Sequence, residues 1–142
     1  MKISDLMTTE IETVTPEQTA KDAASFMLSA DTGSIPVCDN GKVIGMITDR
    51  DIAVRGVAEG RGPETSVRDL MSKDIVCARE DDDISAIASR MSEAQVRRLP
   101  VVDADNRIVG MVSLGDLSRE ADNAAANKAL EGVSAPGGQH QQ

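Results

Sequence analysis

Apolar positions along the chain alternate between two periodicities, and the alternation occurs twice. Ala20, Ala23, Ala24 and Met27 stand at i, i+3, i+4 and i+7, the spacing of one helix face. Thr15 as cap, Pro16 at the first helical position and Glu17 in the first turn predict where that helix begins. Ile84, Ile87, Ala88 and Met91 repeat the spacing behind Asp81-Asp82-Asp83, a solvated acidic run suited to the positive end of a helix dipole. Core packing accounts for both Met stripes. Two β-rich runs follow each helix. Residues 35–38 and 43–47 flank Asn40-Gly41, a hairpin signal, and residues 99–102 and 107–112 flank the turn 103–106. Pro36 and Pro100, near strand starts, predict edge or terminal positions. Short extended stretches at 11–14 and 75–78 precede the helices, and a last helix begins near Asp49 and again near Leu114. The order is β-α-β-β-α, twice.

Residue identities repeat as well. At a shift of 64, Asp5-Leu6-Met7 falls on Asp69-Leu70-Met71, Ile11 on Ile75, Ala24-Ser25 on Ala88-Ser89 and Pro36-Val37 on Pro100-Val101. One extra residue in the second turn changes the shift to 65, and Gly45-Met46 then meets Gly110-Met111 and Asp51 meets Asp116. Ordered matches sharing one insertion mark two copies of a unit of roughly 60 residues. The expected boundaries are 1–64 for the first repeat with its linker (60–65), 65–124 for the second, and 125–142 for a helix end and a disordered tail. Neither copy is comfortably large alone, so the fold class expected is α+β, a sandwich-like pair packed by pseudo-two-fold symmetry around a mutual core.

Composition narrows the function. The 142 residues contain 40% hydrophobic and 27% charged side chains, and Phe26 is the only aromatic. Aromatic platforms for stacking nucleic-acid bases are therefore absent, and a formal charge of -9 opposes a phosphate backbone; nucleic acid is not an expected partner. Without a signal-peptide pattern, or an apolar run near the roughly 18 residues of a membrane span, the expected location is cytoplasmic, with no membrane partner. Cys38 and Cys77 form no CxxC pair and read as buried free thiols. His140, the only histidine, lies in the tail, so no metal site is expected. The body offers neither a histidine nor a reactive-cysteine constellation, and no catalytic residue is assigned.

The junction between last strand and last helix is where chemistry is expected. Gly45-Met46-Ile47-Thr48-Asp49-Arg50-Asp51 and Gly110-Met111-Val112-Ser113-Leu114-Gly115-Asp116 both read Gly-h-h-[Ser/Thr]-x-x-Asp, with h apolar. A hydroxyl beside unsatisfied helix N–H groups suits an anion, a carboxylate one turn later suits a ribose diol, and glycine permits close backbone approach. Ser/Thr-x-x-Asp is equally a capping box. Two copies in the same place strengthen the ligand reading, and the two readings are compatible.

Together with the h-Pro-Val-h strands, these motifs make residues 2–122 resemble a pair of cystathionine-β-synthase (CBS) domains, a Bateman module, here standing alone. The resemblance implies a homodimerising regulatory module that binds AMP, ADP, ATP, S-adenosylmethionine or NADH in clefts between repeats, requires no cofactor, and signals to a protein target of unknown identity. By position, Asp51 and Asp116 would hold ribose hydroxyls, and Thr48 and Ser113 would face phosphate or ribose. Thr13-Val14 and Cys77-Ala78, with Ile35-Pro36 and Leu99-Pro100, would wall the adenine. Arg97-Arg98 and Arg50 are phosphate candidates, although Arg97-Arg98 is equally a solvated charge pair, and the first copy has Gly33-Ser34 in its place. The alternative function is a ligand-independent dimeric interaction or stress-response protein of the same fold.

Overall fold

The computed structural model describes residues 2–120, 130 and 132–133. Most of the expected tail, with His140, lies outside the described residues. The chain divides into two compact units that are out of phase with the sequence repeat. One is Glu12–Ile75; the other joins Met1–Ile11 to the described residues from Val76 on.

In the Glu12–Ile75 unit, α1 (Ala20–Ala30) is followed by β1 (Ser34–Asp39) and β2 (Lys42–Thr48), an antiparallel hairpin. Asn40 (φ 53°) and Gly41 (φ 81°) both take the left-handed conformation that this two-residue turn demands. Val14 forms a parallel bridge with Val37 on the other side of β1. After β2 the backbone turns directly into α2 (Asp49–Asp51), which widens into a π-turn (Ile52–Gly56) and tightens into a 3-10 turn (Val57–Glu59). A short α3 (Val67–Leu70) closes the unit. Its core comprises Val14, Ala20, Ala23, Met27, Ile35, Val37, Ile47, Val67, Leu70 and Met71.

The other unit builds the same pattern from β3 (Ala78–Arg79), α4 (Ile84–Ala94), β4 (Arg98–Val102), β5 (Ile108–Ser113) and α5 (Leu114–Glu120). β3 is parallel and β5 antiparallel to the central β4. Both hairpins shift register at matching positions, Val37/Cys38 and Val101/Val102.

Several expectations are corrected. α1 begins at Ala20 rather than Pro16, because Thr19 is the cap: its Oγ1 accepts from Asp22 N (3.2 Å) while Asp22 Oδ2 accepts from Thr19 N (3.1 Å). Ala24 is exposed. Pro100 sits in a central strand rather than at an edge; β3 pairing starts only at Val101, so no parallel ladder bond is lost at the proline. Cys38 is buried, but Cys77 is only half-buried. Asp82 is not merely a solvated helix start, since its Oδ2 accepts from Arg79 N and from Arg90 Nη1, each at 2.8 Å.

The Asp-Leu-Met segments explain the phase difference. Each lies beside the last strand of a unit: Thr8 pairs with Met111 and Ser72 with Met46. A Cβ on Gly45 would lie 2.6 Å from Ser72 O, and one on Gly110 would lie 2.8 Å from Thr8 O and from Met7 Sδ. The close approach that glycine permits is therefore made by the chain itself.

Candidate functional site

At the first junction, Thr48 leaves β2 with extended backbone (φ -119°) and the next residue is helical. Asp49 N donates to Gly33 O (2.9 Å), which ties the helix start to the residue before β1. Thr48 Oγ1 accepts from Asp51 N (3.1 Å), and Asp51 Oδ2 accepts from Thr48 N (3.0 Å). The capping box is therefore formed, and it uses only one of the carboxylate oxygens. Asp51 is 1% exposed, and its Oδ1 has no hydrogen-bond partner among the described residues. Ser34, paired with Thr48 across the hairpin, also buries an Oγ without a hydrogen-bond partner. A buried polar atom left unpaired carries a desolvation penalty of about 1–3 kcal/mol. Two flank Thr48.

Burial pushes the Asp51 carboxyl above its ordinary range, opposed by the hydrogen bonds with Thr48 and by the charges of Arg55 and Arg50. Arg55 Nε stands 3.8 Å from Oδ1, while its Nη1 donates to Leu70 O (3.3 Å) and Met71 O (3.0 Å).

The second junction repeats the frame. Leu114 N donates to Arg97 O (2.8 Å), Ser113 N to Asp116 Oδ2 (2.8 Å) and Asp116 N to Ser113 Oγ (3.2 Å). Here the outer oxygen is occupied: Arg119 Nη2 donates to Asp116 Oδ1 at 2.5 Å. These two residues line a cleft of about 260 Å³ with Asp5 and Leu6.

The remaining expected site residues divide by environment. The side chains of Val14, Ile35, Ala78 and Leu99 are buried in the two cores, so what they offer a ligand is main chain. Pro36 and Pro100 are buried, and Pro36 O accepts from Val14 N (3.1 Å). Thr13 and Cys77 are half-buried; Cys77 O accepts from Arg90 Nη1 (2.9 Å), and burial pushes the Cys77 thiol up against the opposing charges of Arg90 and Arg79. Arg50 and Arg97 are exposed and Arg98 is half-buried. Ser34, Arg55 and Arg119 were not singled out in the sequence. Ser34 and Arg119 carry no repeat signal, and the importance of Arg55 depends on the distant carbonyls that hold it.

The CBS domain family model matches residues 3–56 and 67–123. The CBS domain-containing protein YhcV of Bacillus subtilis is 42% identical over 133 residues, 93% of this chain and 94% of that protein. The solved CBS domain pair of protein MJ0100, in complex with 5′-methylthioadenosine and S-adenosyl-L-methionine, superposes with a TM-score of 0.74 at 28% identity, covering 84% of this chain and 94% of that one. CBSX2 in complex with AMP gives a TM-score of 0.74 at 25% identity, covering 84% and 95%. With both repeats matched and a relative of this identity aligned along nearly its whole length, the chain belongs to the CBS domain family.

Proposed function

We propose that this chain is a regulatory module that binds an adenosine-type ligand (AMP, ADP, ATP, S-adenosylmethionine or NADH) at its strand-to-helix junctions and passes the bound state to a protein partner. The observation that carries this reading is the pair of buried polar atoms at the first junction that lack hydrogen-bond partners, Ser34 Oγ and Asp51 Oδ1. A ribose hydroxyl donating to Oδ1 would relieve the desolvation of that carboxylate. Asp116 takes the same role in the second repeat, with Thr48 and Ser113 beside the ribose or phosphate. Arg50, Arg97 and Arg98 supply positive charge for phosphate. The backbone of Thr13-Val14, Cys77-Ala78, Ile35-Pro36 and Leu99-Pro100 borders the base. The adenosine compounds held by the MJ0100 domain pair and by CBSX2 support the ligand class.

Regulation then follows from differential affinity: a ligand favours whichever arrangement binds it better. The output is conformational rather than catalytic. The working form proposed is a homodimer. Among the described residues, no helix is long and apolar enough to cross a membrane.

The test is thermal unfolding with each ligand at millimolar concentration, since binding to the native state stabilises it by mass action. At least one ligand should raise Tm. Asp51→Asn should remove the contribution of the first site and Asp116→Asn that of the second. No rise with any of them refutes the proposal.

A further inference from the structure

Arg55 and Arg119 both neutralise a junction carboxylate, in opposite ways. Arg119 closes directly on Asp116 Oδ1, whereas Arg55 stops 3.8 Å short of Asp51 Oδ1, too far for a hydrogen bond. What holds Arg55 back is visible. Its Nη1 is bonded to the carbonyls of Leu70 and Met71, at the end of α3 where main-chain acceptors lack helical partners. The π-turn that carries Arg55 packs against α1 and α3. Those helices bring Lys21, Asp22, Arg68 and Asp69; Asp22 is engaged by Thr19, and Arg68 by Glu17 at 2.7 Å. The charges acting on Asp51 are Arg55 and then Arg50.

We propose that Arg55 is a positioning residue for ligand binding: pinned by the Leu70 and Met71 carbonyls, it holds positive charge beside Asp51 without bonding to Oδ1, and so leaves that buried oxygen unpartnered for a donor from the ligand. This rests on reading Asp51 as the ribose acceptor. A neutral residue in place of Arg55 would leave the buried carboxylate only its hydrogen bonds with Thr48 and the charge of Arg50 against desolvation, and it would take up a proton at a higher pH than in wild type. A protonated carboxyl must spend one oxygen as a donor and can no longer offer two acceptors. An arginine free to swing inward would instead occupy Oδ1, as Arg119 does in the other repeat.

The test uses the full chain and adenosine, a probe without a titrating phosphate. Wild type, Arg55→Met and Arg55→Lys are compared by NMR titration of the Asp51 side-chain carboxyl without ligand, and by calorimetric affinity for adenosine from about pH 5 to about pH 8. The expected result is a higher midpoint for Asp51 in Arg55→Met than in wild type, because the opposite charge of Arg55 is lost. Its affinity should fall on acidification from a correspondingly higher pH, by about tenfold per unit below the midpoint. Arg55→Lys should return both curves most of the way to wild type. An unchanged midpoint in Arg55→Met, or affinity reduced by one factor at every pH, overturns the proposal and leaves Arg55 as a structural strut. Should Arg55→Met fail to fold, an Asp51 midpoint in Arg55→Lys lying below that of wild type would overturn it, because a cation no longer pinned by the two carbonyls should not hold the carboxylate better. Failure of wild type to bind adenosine and each of the five proposed ligands refutes the reading of the site itself, whereas the Asp51 midpoint still decides the electrostatic role of Arg55.

Discussion

Gly45→Ala isolates the contact that places the Asp-Leu-Met segment. The new Cβ would sit 2.6 Å from Ser72 O and 3.1 Å from Met71 Sδ. The methionine tip can rotate away, but a main-chain carbonyl cannot move without its segment. Retreat of that segment lengthens two hydrogen bonds, Met46 N to Ser72 O (3.0 Å) and Ser72 N to Met46 O (2.8 Å). At about 0.5–1.5 kcal/mol each, their loss amounts to about 2 kcal/mol. Partial exposure of Met71, now 5% exposed, adds to this, while replacing glycine within a strand returns about 0.5–1 kcal/mol. The net expectation is a destabilisation of about 2 kcal/mol. Gly62→Ala is the control, because nothing lies within 4 Å of its Cβ position, and a change within about 0.5 kcal/mol is expected there. Urea unfolding should be followed by far-ultraviolet circular dichroism, since one phenylalanine and no tryptophan leave little intrinsic fluorescence. Two separate cores argue against assuming a single transition, so hydrogen exchange at the Met46 and Ser72 amides serves as the local readout. Gly45→Ala as stable as Gly62→Ala, with both amides still protected, would refute the steric reasoning.

Two further outcomes follow from the hydrogen bonds. Thr48→Ala removes the acceptor for Asp51 N and should lower stability by about 1 kcal/mol, read from Tm without ligand; an unchanged Tm would mean that the capping box contributes nothing. Asp82 is the acid-sensitive carboxylate: burial would raise its pKa, but the Arg79 amide, the Arg90 hydrogen bond and the charges of both arginines hold it below the ordinary value. With the folded pKa depressed, this stabilisation is present above the unfolded value and disappears as pH falls through the folded one. Arg90→Met should therefore lower the urea midpoint most near neutral pH, by a margin that narrows in acid to what loss of the bond to Cys77 O leaves; a pH-independent difference would remove Asp82 from the explanation.

How much of this was legible in sequence depended on the range of the interactions. The second helix, both hairpin turns and both capping boxes at the junctions are written in spacings of a few residues, and they stand where the pattern predicts. The start of α1 was misread because its competitor is distant. Pro16 O accepts from Ser66 Oγ (2.6 Å) and Arg68 N (3.0 Å), Gln18 O accepts from Val67 N (2.8 Å), and Ala20 N donates to Thr65 O (2.8 Å). Those bonds hold residues 16–18 out of the helix and leave Thr19 to cap it, a tertiary override of local preference. The paired Gly-Met dipeptides were visible as a repeat, but their cause was not. The atoms that forbid a Cβ belong to segments tens of residues away in sequence, and in each unit the crossing segment precedes the other unit's repeat.

Capping and the proposed ligand binding, which the motif leaves compatible, call on different atoms of one side chain. A carboxylate has two oxygens, and the box takes Oδ2 in both repeats: Thr48 N donates to one, Ser113 N to the other. The box thereby fixes the rotamer of the aspartate without saturating it. What differs is the fate of Oδ1, which lacks a hydrogen-bond partner beside Arg55 in the first repeat and is covered by Arg119 in the second. Equivalent motifs thus create unequal acceptors, and the inequality arises outside the motif, in which cation stands near it and what that cation is bonded to. A donor reaching Asp51 meets an oxygen already stripped of water, whereas a donor reaching Asp116 must first displace an arginine whose side chain is 71% exposed. Affinity at the two junctions should therefore diverge even for one ligand, because the second pays for breaking a charge-assisted bond before any new one forms.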